Sequence, residues 1–208
     1  MKGRATVSAF CVAAACSLVL HAQSGGFVSL FDGTLEGWTI ENTEAGNFSV
    51  RDGMLRVEAP NGWLRSQREY GDFTLRAEFR FATDDADSGI FVRVAGDAPF
   101  MRGWPNDSYQ VQIRNPATAS RFPPVGGIFR HGTAPGETTF DAAAVEKLAR
   151  PTGEWQSLEI DVIGSVLVVR FNGSEVTRAE NIANARGAIG LQGEVGAVEF
   201  RSIEIRER

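Results

Sequence analysis

From Phe73 to Phe81 the chain alternates strictly: Phe73, Leu75, Ala77, Phe79 and Phe81 on one register, Thr74, Arg76, Glu78 and Arg80 on the other. A period of two belongs to a β-strand with one buried face and one polar face. The same period recurs downstream. Tyr109, Val111 and Ile113 oppose Gln110, Gln112 and Arg114; Ile90, Val92 and Val94 oppose Phe91 and Arg93; His131 falls with Phe129, opposite Ile128 and Arg130. Together with shorter apolar runs, this pattern predicts strands over residues 27–31, 48–51, 54–58, 62–66, 73–81, 89–94, 109–114, 127–131, 155–163, 166–171, 187–192 and 198–204. Asp52-Gly53 and Asn172-Gly173 are hairpin turn pairs, and Gly164-Ser165 separates two β-rich runs as a tight hairpin. The only predicted helix covers residues 141–148, capped by Asp141 and filled with Ala142, Ala143 and Ala144. Many short strands and at most one short helix indicate an all-β sandwich.

The polar face of the 73–81 strand carries Arg76, Glu78 and Arg80 in a row. Such a face suits either a polyhydroxylated ligand or a surface ion-pair ladder of small energetic worth, and this strand alone favours the ladder. If the polar sides of several strands share one sheet, Arg76, Glu78, Arg80, Arg93, Gln110, Gln112 and His131 converge.

Composition narrows the setting. Residues 1–22 have a positive start (Lys2, Arg4), an apolar run from Ala5 to Leu20 and a small Ala22, the pattern of a removable export signal. The run is too short for a transmembrane helix. A lipidation box at Ala14-Ala15-Cys16 is the less favoured reading, because the apolar run continues past Cys16. Removal of 1–22 takes away both cysteines, Cys11 and Cys16, so no disulfide, thiol nucleophile or thiolate zinc site is expected in 23–208. It also moves the net charge from -5 to -7 by losing Lys2 and Arg4, which argues against nucleic acid or anionic membrane as partner. No linker divides the remainder, which reads as one domain, exported to the periplasm or beyond.

The longest irregular stretches, 95–108 and 115–125, are of the kind that carries function in a compact sandwich. Trp104 lies in the first, suited either to the floor of a pocket or to anchoring the loop. With His21 in the export segment, His131 is the remaining histidine, a candidate base or metal ligand or an ordinary surface residue. The Asp84-Asp85-Ala86-Asp87 cluster lacks calcium-loop spacing and reads as a hairpin turn. Phosphate-binding, dinucleotide, nucleophile-elbow and His-Glu-x-x-His motifs are absent.

Eight short blocks carry a resemblance: Leu30-Phe31-Asp32-Gly33 with Gly37-Trp38; Gly71-Asp72-Phe73 through Glu78-Phe79-Arg80; Ser88-Gly89-Ile90; Tyr109-Gln110-Val111-Gln112-Ile113; Gly153-Glu154-Trp155; Phe171-Asn172-Gly173; Gly190-Leu191-Gln192; and Glu199-Phe200-Arg201-Ser202-Ile203. In this order they resemble the 3-keto-disaccharide hydrolase family from about Phe27 to the C-terminus. The resemblance implies a concanavalin A-like β-sandwich (jelly roll) acting on 3-keto-glycosides. A ketone at C3 acidifies the C2 proton, so a base removes it as the C1–O bond breaks, and water then adds to the 2-hydroxy-glucal. Such chemistry asks for a base, positive charge or a divalent cation at the enolate, and an acid for the leaving oxygen.

Under this resemblance Glu78 and His131 are the acid/base candidates, Arg80 and Arg93 the groups that stabilise the enolate oxygen, and Arg93 is also a substrate-binding candidate. Gln110, Gln112, Trp104 and Glu194 are the other substrate-binding candidates. A sugar 3-oxidoreductase is the implied pathway partner. This chain departs from the pattern where relatives carry Glu and it has Gln110, which removes an acid, base or metal ligand; Gln156 and Ser202 are lesser departures at turns and strand edges. Two other classes stay open: a non-catalytic carbohydrate-binding module, which Gln110 fits, and a laminarinase-type glycosidase, whose Glu-x-Asp-x-x-Glu strand is missing.

Overall fold

The computed structural model describes residues 26–58, 60–95, 103–119 and 122–208. The predicted export segment 1–22, with the lipidation reading at Cys16, lies outside the described residues, as does 96–102 within the first long loop. In chain order the strands begin with β1 (Val28–Ser29), β2 (Trp38–Glu41), β3 (Phe48–Arg51), β4 (Met54–Glu58), β5 (Gly62–Tyr70), β6 (Phe73–Phe81), β7 (Asp87–Val94) and β8 (Tyr109–Arg114). They continue with β9 (Ile128–Arg130), β10 (Glu137–Phe140), helix α1 (Ala142–Leu148), β11 (Gln156–Ile163), β12 (Val166–Phe171), β13 (Ser174–Glu180), β14 (Gly187–Val195) and β15 (Ala197–Glu207).

The strands form two antiparallel sheets. One has nine strands in the order β10-β13-β12-β11-β6-β15-β4-β3, with β1 added on β15; the other has six, β2-β5-β14-β7-β8-β9. The alternation read from sequence decides which residues meet between them. Leu75, Phe79, Ile160, Val169 and Phe200 enter from the nine-stranded sheet, and Leu64, Ile90, Val92, Val111 and Leu191 from the six-stranded one, forming one continuous buried cluster. Phe79 is fully buried and edge-on to Phe81 at 5.5 Å. Truncating such a core ring to Ala costs about 3–5 kcal/mol.

The turn chemistry is as the dipeptides dictate. Asp52 and Gly53 both take positive φ (52° and 74°), as do Asn172 and Gly173 (46° and 89°), the backbone that two-residue hairpins need. Asp141 caps α1 by accepting from the Ala144 backbone N–H at 2.9 Å. Strands β2, β10 and β13 were not signalled by the pattern. Three of the four residues of edge strand β10 are exposed and the fourth only half-buried, so no apolar alternation marks it. Strand β13 pairs with β12 across a bulge at Val169/Arg170, which breaks its period.

Candidate functional site

The two outer faces of the sandwich have different chemistry. On the nine-stranded sheet, Arg76 pairs with Glu159 at 2.8 Å, Arg80 with Glu199 at 2.6 Å, and Glu78 takes two guanidinium bonds from Arg201 at 2.9 and 3.0 Å. A bulge between Phe200 and Ser202 turns Arg201 outward onto Glu78. Arg80 and Arg201 both stack on Trp155, 4.8 and 4.6 Å from its ring centre. The bonds from Arg201 hold the Glu78 carboxyl below the usual carboxylate range. This is the ion-pair ladder.

The expected convergence fails here. Phe79 and Ala77 point into the core, so Glu78 and Arg80 point out of the nine-stranded sheet, whereas Gln110 and Gln112 lie on the six-stranded one. Two sheets packed about 10 Å apart separate the groups. Glu78 and Arg80 therefore cannot act with His131 on one bound sugar. Arg93 is also displaced from the expected row. It takes φ 55°, is fully buried, and donates to the Asn184 carbonyl at 2.7 Å and to Asp72 at 3.0 Å, tying the strand end to neighbouring turns.

The six-stranded sheet gathers the remaining candidates. Register places Trp63, Gln192, Gly89 and Gln112 in one row across β5, β14, β7 and β8, and Gly190, Phe91, Gln110 and Phe129 in the next. Phe91 is the hub of the apolar part: Trp63 lies edge-on at 5.6 Å, His131 edge-on at 5.5 Å, and Trp104 tilted at 6.1 Å. The Trp63 indole N–H donates to the Gly103 carbonyl at 3.2 Å, which helps seat the loop carrying Trp104. Trp104 thus both anchors its loop and roofs the aromatic cluster.

Beside the rings runs a buried amide network. Gln110 Nε2 donates to Gln112 Oε1 at 2.6 Å and to Gln192 Oε1 at 2.8 Å. Gln112 Nε2 donates to Asp87 at 2.7 Å, and Gln192 Nε2 to Glu194 at 2.9 Å. Arg114 is ion-paired with the second oxygen of Asp87. The third corner of Gln110, Oε1, meets His131 Nε2 at 2.8 Å. Space for this crossing comes from a glycine: a Cβ on Gly89 would stand 2.6 Å from Gln110 Nε2 and 2.7 Å from its Cγ. All three glutamines are buried, so satisfied amides are what make their burial tolerable. Burial lowers the His131 pKa to about 4, leaving a neutral imidazole at neutral pH.

Trp63, Asp87, Arg114 and Gln192 were not singled out from sequence as site residues. Trp63 and Arg65 alternate with Leu64 and Ser66, a usable signal. Asp87 reads as the end of an acidic turn, yet it opens β7 opposite Arg114. Among the described residues, no three His, Cys, Asp or Glu side chains gather as a metal site, and Asp87 is already engaged by Arg114 and Gln112. No helix among the described residues is long and apolar enough to cross a membrane.

The paired antiparallel sheets define a concanavalin-like jelly roll, and known proteins agree. A candidate glycosyl hydrolase from Parabacteroides distasonis ATCC 8503 superposes with TM-score 0.68 at 23% identity, over 88% of this chain and 100% of that one. The β-glucanase of Bacillus licheniformis superposes at 0.52 with 16% identity (89% and 100% covered), and the carbohydrate-binding module CBM66 of Bacillus subtilis at 0.54 with 12% identity (82% and 96%). At these identities the likeness is one of fold. A search of curated protein sequences gives no match. The chain belongs to the family of the 3-keto-alpha-glucoside-1,2-lyase-like domain, which matches residues 26–206.

Proposed function

We propose that the protein is an exported, carbohydrate-active domain that cleaves 3-keto-glycosides on the outer face of its six-stranded sheet. The observation that carries this reading is the meeting of His131, the aromatic cluster and the glutamine network on that face, in a chain whose family match runs from residue 26 to 206. Trp63, Phe91 and Trp104 are buried and form the apolar wall against which the half-buried His131 ring is set. His131 takes the C2 proton of the substrate; the C–H electron pair becomes the C1–C2 double bond as the C1–O bond breaks, the leaving oxygen takes a proton from water, and His131 returns its proton to the hydroxide so formed. Water then adds to the 2-hydroxy-glucal. The carbonyl of Gln110 keeps its hydrogen bond to His131 and favours the imidazolium that forms.

The substrate must come from oxidation of a glycoside at C3, which makes a sugar 3-oxidoreductase the supplying activity. Export rests on the N-terminal pattern of Lys2, Arg4 and the apolar run behind them. A second reading, a binding module without turnover, is favoured by one specific feature: the partner of His131 is an amide, not a carboxylate, so the network supplies no negative charge to raise the imidazole's basicity.

Incubation with 3-keto-trehalose and 3-keto-glucosides, followed by NMR, separates the two. Appearance of 2-hydroxy-3-keto-glucal or 3-keto-glucose supports the enzyme. Binding of the same sugars without product supports the module.

A further inference from the structure

We propose that Asp87 and Glu194 are positioning residues: as the carboxylate ends of the glutamine network they fix its hydrogen-bond direction, and so place the ring hydrogen of His131 on Nε2 and the lone pair on Nδ1. The use of Nδ1 as a base rests on the function proposed above, whereas the tautomer itself does not.

The hydrogen-bond directions are fixed inward from both ends of the network. A carboxylate only accepts, so Gln112 must turn its Nε2 toward Asp87 and Gln192 its Nε2 toward Glu194. Their oxygens then both face Gln110, at 2.6 and 2.8 Å. Only an N–H group can sit between two such acceptors, so Gln110 Nε2 spends both hydrogens there. Its remaining corner, Oε1, is an acceptor, and the ring nitrogen 2.8 Å away must donate.

Reversal is blocked at every link. Turning Gln110 over would set its oxygen against two carbonyl oxygens at hydrogen-bond distance. Relieving that by turning Gln112 and Gln192 would press their oxygens onto Asp87 and Glu194, which have no hydrogen to give. Arg114, paired with Asp87, holds that end as a carboxylate. Since all three amides are buried, water does not mend a wrong direction. The two carboxylates act redundantly, because either one alone still orients one acceptor toward Gln110.

The test is the tautomer of His131 in the ¹⁵N-labelled full chain at neutral pH, read from two-bond ¹H–¹⁵N ring correlations and assigned by their loss in His131→Gln. The wild type is expected to show the Nε2–H tautomer alone, and Asp87→Asn or Glu194→Gln singly to keep it. The double variant Asp87→Asn/Glu194→Gln puts an amide that can donate at each end, with Arg114 holding the Asn oxygen and turning its N–H toward Gln112, and a second, Nδ1–H population is expected to appear. A role confined to folding would change stability and leave the tautomer as it was. An Nδ1–H or mixed ring in the wild type overturns the proposal, as does an unchanged single tautomer in a folded double variant. If the double variant fails to fold, the wild-type spectrum still decides.

Discussion

Acidification below neutral pH should cost this protein stability through His131, before its carboxylates titrate. Burial takes the imidazole from its ordinary 6.5 to about 4 in the folded chain. The unfolded chain therefore binds more protons between these values, and stability rises with pH across that window and falls as pH drops through it. At about 1.4 kcal/mol per pKa unit, the full loss is about 3 kcal/mol, of which about 2.5 kcal/mol has gone by about pH 4.5. Glu78, Asp161 and Glu199 are lowered from ordinary carboxylate values and so lose their stabilisation at lower pH, equally in wild type and variant. His131→Gln keeps an N–H near the position of Nε2 and has no charge to gain. Urea unfolding of both proteins at about pH 7 and about pH 4.5 isolates the histidine: the wild type should lose about 2–3 kcal/mol more than the variant, a midpoint shift of about 1 M. Equal pH dependence within about 0.5 kcal/mol would refute the reasoning, since it would mean that His131 is no harder to protonate folded than unfolded.

Gly89→Ala should expel the Gln110 side chain from its crossing, because the new Cβ meets Nε2, Cγ and Cδ within 3 Å; sugar binding on this face should weaken, measured by titration calorimetry, while the circular dichroism stays that of the wild type. Gln110→Glu puts a carboxylate against two amide oxygens and should destabilise the chain at neutral pH by about 1–3 kcal/mol in denaturant unfolding, while raising the His131 pKa in an NMR titration. Arg93→Met leaves the Asn184 and Gly164 carbonyls without their donor and should lower stability by about 1–3 kcal/mol without a direct loss of ligand contacts.

The sequence pattern assigned faces correctly along β8 and the core side of β6, but it misplaced Val94 at the end of β7, which packs with Phe91 instead of Ile90 and Val92, and it could not say which strands were neighbours. In β6 the odd residues fill the core as expected, and Arg76, Glu78 and Arg80 face outward, with Thr74 on the same side buried under its hydrogen bond to Asp161. What alternation lacks is the pairing of β6 with β11 and β15 instead of β7, and that pairing sends Glu78 and Arg80 away from His131. Two local departures also escape a period of two. Arg93 adopts a positive φ that rotates it off the Phe91 face, and the bulge beyond Gly193 in β14 alters the register leading to Glu194. Gln110, Gln112 and Glu194 were legible because their strands keep regular alternation or sit close to a recognised block. Asp87 was not, since its meaning depends on Arg114 and Gln112 arriving from a strand more than twenty residues later.

The most direct measurement of the central claim is turnover of a 3-keto-glucoside by wild type, His131→Gln and Glu78→Gln side by side, with formation of 2-hydroxy-3-keto-glucal followed by NMR. Product is expected from the wild type and from Glu78→Gln at comparable rates, with a loss of about a hundredfold or more in His131→Gln. Loss of turnover in Glu78→Gln with His131→Gln unaffected would move the chemistry to the nine-stranded face and contradict that claim.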